Sequence, residues 1–322
     1  MAKKVIFVIE TRFSGSTFFH LTLANDPKGF AVGEVKSLFR PTRAHHRRSV
    51  RSCQCGDPSC DLWDRAEKNG MDRLYESIFD IHPEVDFIVD SNKDILWTQH
   101  HASRLAKQGI EVKIILIWKT LIEYAHSLQK RSYPLENDLP LWIRFHRNFY
   151  SFFNHFGALK YKNYTENHKT TLQETCNYLG IPYFEGKEQY WEKKHHSLWG
   201  NSSAKLHQYS KDSPGYQKVV QRSSGGVHGT DISVSEEHHR TIFYDNPNEK
   251  LLNHYIDEVR KKYPNSDQIE EMLISRDIGN PGNWNKPWPD LQRSELEMQV
   301  IRAYKTIREY SQYLHFKMRY AD

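Results

Sequence analysis

The sequence predicts an α/β fold, a central parallel sheet of about five strands with helices on both faces. Three observations predict it. The apolar run Val5-Ile6-Phe7-Val8-Ile9 has the length and continuity of a strand buried on both sides. Residues 112–117 repeat that pattern, with five apolar residues of six. Helical stretches separate the strand-like runs, the alternation of strand-crossover-strand units.

The first run leads into Arg12-Phe13-Ser14-Gly15-Ser16-Thr17-Phe18-Phe19, and residues 18–24 read as a helix. A strand, a tight Ser-Gly-Ser-Thr turn and a helix N-terminus make an anion cradle. Successive amides and hydroxyls point at one spot, and the helix dipole adds about half a positive charge there. The loop lacks the Gly-Lys-Ser/Thr ending of an ATP-binding phosphate loop, which predicts a relative of that fold built for another anion. Turn chemistry alone also allows a plain turn with a capping hydroxyl.

Residues 87–89 form a short strand ending at Asp90, and 95–108 a helix stopped by Gly109. After the strand over 112–117 come helices over 121–131 and 139–156. The second is strongly aromatic, and its Phe149, Tyr150, Phe152, Phe153 and Phe156 have the spacing of a core-facing stripe. Residues 159–161 read as a further strand, and 170–179 as a helix closed by Gly180 and Pro182. Residues 195–235 are rich in Ser, Gly, His and Lys, and 205–235 read as a mobile loop over the site. A C-terminal helical extension over 236–322 contains helices over 250–263 and 294–314. With no internal repeat, 1–322 reads as one domain.

Hydrophobic content of 38% and charged content of 26% are those of a globular chain. No apolar run approaches the ~20 residues of a bilayer span, and the N-terminus has no signal-peptide pattern, so the expected location is cytoplasmic, with no membrane partner. A net charge of +5 suits an anionic ligand and is too small to imply nucleic acid. Arg40, Arg43, Arg47, Arg48 and Arg51, interleaved with His45 and His46, are a solvated basic loop or an anionic-partner site. Four cysteines do not make a disulfide scaffold. Cys53, Cys55 and Cys60 leave three readings open: packing thiols, a disulfide, or a metal site whose fourth ligand would be Cys176 or a histidine.

A second informative stretch starts after the strand over 112–117. Lys119 is followed eight positions later by Ser127, and a basic residue after a strand can converge with a helix serine on one anionic group. With this pair the chain resembles the sulfotransferases that use 3′-phosphoadenosine 5′-phosphosulfate (PAPS). Phe13-Ser14-Gly15-Ser16-Thr17 is similar to their 5′-phosphosulfate loop, and Lys119 with Ser127 to their 3′-phosphate element. Gly33-Glu34 resembles the Gly-Glu of the tyrosyl-protein branch. Asp90-Ser91-Asn92-Lys93-Asp94 resembles segments of both that branch and bacterial members. Tyr161-Lys162-Asn163-Tyr164 stands where Tyr-Glu-Asp-Leu is common, and His196 through Asn201 to Lys205 resembles a late segment of bacterial members. Cys53, Cys55, Gly56, Cys60 and Trp63 resemble a Cys-x-Cys-Gly…Cys-x-x-Trp segment of some of those members. The likeness covers roughly residues 5–205. Three departures stand out: Phe13 replaces the loop's basic residue, Lys-Thr-Leu replaces Arg-Asp-Pro, and the tetrad at 161–164 has lost both carboxylates.

The resemblance implies transfer of a sulfuryl group from PAPS to a hydroxyl or amine of a small acceptor, such as a secondary metabolite or alkaloid. The product nucleotide would be adenosine 3′,5′-bisphosphate, and no metal is implied. Glu34 is the implied base, with Lys93 and Arg12 neutralising the bridging oxygen and sulfonate; His100 and His101 are alternative bases. Arg12, Phe13, Ser14, Gly15, Ser16, Thr17, Lys119, Ser127, Asn201 and Lys205 are the implied donor-binding set. Two other classes stay open: a phosphate-loop kinase or NTPase, and a non-catalytic anion or nucleic-acid binder.

Overall fold

β1 (Lys4–Glu10) lies in the middle of a five-stranded parallel sheet with β2 (Gly29–Gly33), β3 (Phe87–Asp90), β4 (Glu111–Trp118) and β5 (Gly157–Lys160), in the order β2-β3-β1-β4-β5. This computed structural model describes residues 3–47, 53, 55, 57, 59–201, 204, 212–214, 216–218, 249–279 and 286–320. All seven residues of β1 are buried. Side chains alternate across a strand, so Val5, Phe7 and Ile9 enter one core while Ile6 and Val8 enter the other.

The Ile6 face is covered by α1 (Ser16–Leu23), α8 (Tyr161–Glu166) and α9 (His168–Leu179) through Phe18, Phe19, Tyr164 and Leu172. The Phe7 face carries α2 (Lys36–Phe39), α3 (Leu62–Lys68), α4 (Leu74–Ile81), α5 (Ile95–Lys107), α6 (Leu121–Gln129), α7 (Leu135–Phe152), α10 (Glu249–Lys262) and α11 (Ser266–Ser275). The predicted α/β class with helices on both faces is what the chain adopts. The aromatic stripe of α7 is core: Phe149 and Phe156 are fully buried with ring centroids 4.8 Å apart.

Several elements were not legible in advance. β2 is Gly-Phe-Ala-Val-Gly, too short and glycine-rich to stand out, yet it pairs with β3 as an outer strand. The charged α3 and α4 lack a long apolar repeat. α7 starts at Leu135, four residues before the expected start, and runs through Pro140, which deprives only the carbonyl one turn earlier of its partner. Its earlier end lets β5 begin at Gly157 instead of 159.

The chain leaves β1 toward β2 and leaves β4 toward β5, so crossovers diverge from the carboxyl ends of β1 and β4. In open parallel sheets that divergence opens the ligand crevice. The basic cluster faces α12 (Glu295–Tyr320) instead: Arg40 lies over Tyr313 at 5.5 Å and Arg47 over Tyr320 at 5.4 Å, beside a 2.7 Å Lys36–Glu309 ion pair. Arg48, Arg51 and most of the expected loop at 205–235 lie outside the described residues. No described helix is long and apolar enough to cross a membrane.

Both outer strands carry a one-residue parallel bridge, Gly33 with Leu198 on β2 and Ala158 with Asp277 on β5. Leu198 donates to Val32 O and accepts from the Glu34 amide, each at 3.0 Å. Gly33 has φ +71°, and a Cβ there would lie 2.1 Å from Leu198 O. Gly33→Ala is therefore expected to cost about 1–3 kcal/mol of stability, read as a lower urea midpoint; an unchanged midpoint would show that the bridge is dispensable.

Candidate active site

The turn after β1 folds as the sequence indicates, with one residue added to its chemistry. Gly15 is the N-cap of α1 with φ 92° and gives no side-chain cap. The ring of Tyr161 lies against it, so a Cβ at Gly15 would fall 2.2 Å from Tyr161 Cε2. Glu10, only 2% exposed, reaches into the cradle. Its carboxylate accepts from the Ser16 amide at 2.8 Å and from the Ser16 hydroxyl. The Ser16 donors expected to hold a 5′-phosphate are thus taken by a carboxylate of this chain. Ser14 Oγ pairs with Thr11 Oγ1 at 2.9 Å, and Thr17 Oγ1 accepts from the Asn201 amide at 3.0 Å.

Lys93 lies between Glu10, at 3.3 Å, and Glu34, at 3.0 Å. Burial would lower the Lys93 pKa, but the two carboxylates outweigh it and the net direction is up. For Glu34, burial pulls upward, while Lys93, then Arg43 and His46, pull harder downward, so it is ionised at neutral pH. The turn is fixed from beneath by Asp90, which accepts from Tyr75 Oη, Trp97 Nε1 and both nitrogens of Asn92. Asn92 Oδ1 in turn accepts from the Lys36 amide at 3.1 Å.

Across the crevice, Lys119 is almost fully buried, and its ammonium donates to Ser127 Oγ at 3.0 Å. The same ammonium lies 4.7 Å over the Tyr161 ring. The eight-residue spacing therefore closes into a direct contact, because Thr120 caps α6 with Glu123 in a capping box that turns the chain sharply after β4. Burial, reinforced by repulsion from Arg131, lowers the Lys119 pKa to about 8. The guanidinium of Arg131 sits 4.4 Å over the Phe13 ring.

The turn after β1 thus has a lysine on either side, Lys93 beyond β3 and Lys119 beyond β4, the two strands that flank β1. Among solved structures, the chain is similar to sulfotransferases. One is the sulfotransferase domain from the curacin biosynthetic pathway, at 16% identity, with 81% of this chain and 98% of that one covered and a TM-score of 0.45. Another is a sulfotransferase from Alicyclobacillus acidocaldarius, at 12% identity, covering 72% of this chain and 98% of that one with a TM-score of 0.34. No protein-family model and no curated protein matches. Neither neighbour is named as a tyrosyl-protein enzyme, and that likeness stays with short motifs.

Of the residues singled out in the sequence, Ser14 to Thr17, Glu34, Lys93, Lys119, Ser127 and Asn201 are linked around the turn after β1 by the contacts just described. Arg12 does not: it pairs with Asp138 of α7 and lies 5.1 Å over Tyr133, drawn off by the nearest buried carboxylate. Phe13 has left-handed φ (67°) and serves as a platform for Arg131. His100 is held by Asp72 at 2.7 Å, and His101 is buried against Trp97 and Tyr75, so both alternative bases are engaged on the α3–α4 side. Lys205 lies outside the described residues. Sequence reading missed Glu10, Arg131, and the aromatic pair His46 and Trp199, whose rings are 5.1 Å apart. The one available signal was for Glu10, an acidic residue ending an otherwise apolar strand.

Asp90 gives this site a pH signature. Burial outweighs its four donors and raises its pKa to about 6. The folded state then holds a proton that the unfolded chain has lost between pH ~4 and ~6, so this group's contribution to stability falls as pH rises through that window, by an order of 3 kcal/mol (~3). Asp90→Asn is expected to remove that slope from urea melts taken at pH 4 to 7; an unaltered slope would assign the titration elsewhere.

Proposed function

We propose that the protein is a sulfotransferase that moves a sulfuryl group from PAPS to a hydroxyl or amine of a small acceptor, releasing adenosine 3′,5′-bisphosphate. The observation that supports this reading is two separate basic positions, one on either side of the turn after β1. One is the α1 N-terminus with Lys93, the other is Lys119 with Ser127. A donor with a 5′-phosphosulfate and a 3′-phosphate needs two such positions, whereas a nucleoside 5′-triphosphate needs one extended one.

Sulfuryl transfer is an in-line displacement. The acceptor oxygen or nitrogen forms the new bond to sulfur, the bond from sulfur to the bridging oxygen breaks, and negative charge moves onto the 5′-phosphate. Charge placement does most of the work, as in phosphoryl transfer. The N-terminal turn of α1 would face the 5′-phosphate with its helix dipole, and Lys93 would meet the charge on the bridging oxygen. Glu34 would take the acceptor's proton. In the free protein Lys93 holds the Glu34 pKa down. Drawing Lys93 toward an incoming anion weakens that hold, so Glu34 becomes a stronger base when the donor is in place. Arg131, stacked on Phe13, takes the cationic position that sequence reading gave to Arg12. His46 and Trp199, with His46 lowered to about 4 by burial and so neutral, make an uncharged aromatic wall near Glu34 suited to a flat or apolar acceptor. The kinase reading is not favoured, because Asp90, the carboxylate ending the strand beside β1, is committed to Tyr75, Trp97 and Asn92.

Calorimetry should find that adenosine 3′,5′-bisphosphate binds ~10- to 150-fold more tightly than 5′-AMP, and that Lys119→Ala erases the difference. Equal binding of the two by the unaltered protein would exclude the 3′-phosphate role of Lys119. The bisphosphate's affinity is also expected to fall as pH rises through about 8, where free Lys119 loses its proton. The loss should reach about tenfold per pH unit at most, and Lys119→Arg should flatten it.

The roles of Glu34 and Lys93 separate in steady-state kinetics. Glu34→Gln should lower kcat by ~10²–10⁴-fold with donor affinity nearly unchanged. Lys93→Ala should lower kcat and weaken donor binding together. A Glu34→Gln enzyme with near-normal kcat would place the base elsewhere.

A further inference from the structure

We infer that Cys53, Cys55, Cys60 and His196 form a structural zinc site that ties the loop before α3 to the segment bridging β2 and the anion cradle. Three of these residues come from one short loop, and the fourth lies 143 positions beyond Cys53. Their ligand atoms nevertheless all fall within 4.8 Å of one another. His196 Nδ1 is 3.2 Å from Cys53 Sγ and 3.5 Å from Cys60 Sγ. A tetrahedral site with Zn–S of about 2.3 Å and Zn–N of about 2.0–2.1 Å has S···N edges of about 3.5 Å and S···S edges of about 3.8 Å. The two edges from His196 to Cys53 and Cys60 already stand close to that length, and the remaining ones lie within 4.8 Å.

The surroundings orient the imidazole. The His196 ring is stacked on Phe30 at 5.7 Å with an interplanar angle of 8°, and its carbonyl accepts from Trp63 Nε1 at 2.8 Å. Ring direction is thereby set, with Nδ1 toward the sulfurs.

The two other readings of these cysteines account for less. All four cysteines of the chain are free thiols. A disulfide within the trio would leave the third thiol and His196 Nδ1 with no common role. Packing thiols would not require an imidazole nitrogen to be aimed at two sulfurs. Three thiolates and one imidazole in a closed tetrahedral set select zinc over the hard cations, and four protein ligands leave no open position, the mark of a structural site. Binding converts three thiols to thiolates and releases their protons, leaving one net negative charge beside Lys193 and Lys194.

The consequence lies along the chain. Two residues beyond His196, Leu198 bridges Gly33, and five beyond it the Asn201 amide donates to Thr17 Oγ1 in the cradle. A metal at His196 would anchor that segment at its start.

The test is metal analysis of the full chain purified under reducing conditions, followed by removal with a chelator and titration with zinc or cobalt alone. Equimolar zinc is expected. Cobalt should give the intense visible bands of a tetrahedral ion together with thiolate-to-cobalt charge transfer. Cys60→Ala and His196→Ala should lose zinc affinity by more than the roughly 10- to 100-fold typical of an outer-shell change, whereas His196→Cys and Cys176→Ala should keep the tetrahedral spectrum. Reduced, folded wild-type protein that takes up neither ion overturns the proposal, as does Cys60→Ala binding as tightly as wild type. None of these measurements reads nucleotide binding or turnover, so they stand or fall apart from the sulfotransferase reading.

Discussion

The ion chain Glu34–Lys93–Glu10, anchored on the buried Glu10, is the constraint on which the crevice depends. These residues follow or end β2, β3 and β1, which are neighbours in that spatial order. The sheet therefore presents negative, positive and negative groups side by side along its carboxyl edge. A carboxylate as enclosed as Glu10 survives only with full compensation. It finds this in Lys93 and in the amide and hydroxyl of Ser16, so the loop after β1 cannot be repositioned without uncovering a charge. The network also keeps the cradle polarised before any ligand arrives, because the donors are already organised around an oxyanion of the chain itself.

Much of this was readable from the sequence where local chemistry decides structure. The buried strands at β1 and β4, the helix N-terminus after Gly15 and the Lys119–Ser127 relation each arise within a dozen residues of chain. What escaped reading depends on residues far apart. β2 is recognisable as a strand only once β3 pairs with it. Arg12 was placed in the site by its sequence position, yet Asp138, 126 residues away, takes its charge. Arg131 enters the site only because Phe13 adopts positive φ and turns its ring under the guanidinium. His196 joins the cysteines for the same kind of reason: no local spacing connects it to them.

Lys119 and Arg131 stand just before and just after α6, while the loop after β1 contributes shape. A rigid helix between the two cations fixes their separation better than a loop could. It also lets Lys119 remain buried, with Tyr161 closing over both it and Gly15.

The one-residue bridges at the two sides of the sheet bear on association between molecules. A short parallel sheet exposes unpaired amides and carbonyls along its first and last strands, which are templates for pairing with another chain. Here Leu198 occupies that position on β2, and Asp277 occupies it on β5, where Ala158 donates to Arg276 O at 2.8 Å and accepts from Ile278 at 3.1 Å. Both plugs are irregular segments that cannot themselves extend the ladder. The sheet is terminated by its own chain at either side, and detachment of the segment around Leu198 would turn β2 from a closed margin into a sticky one.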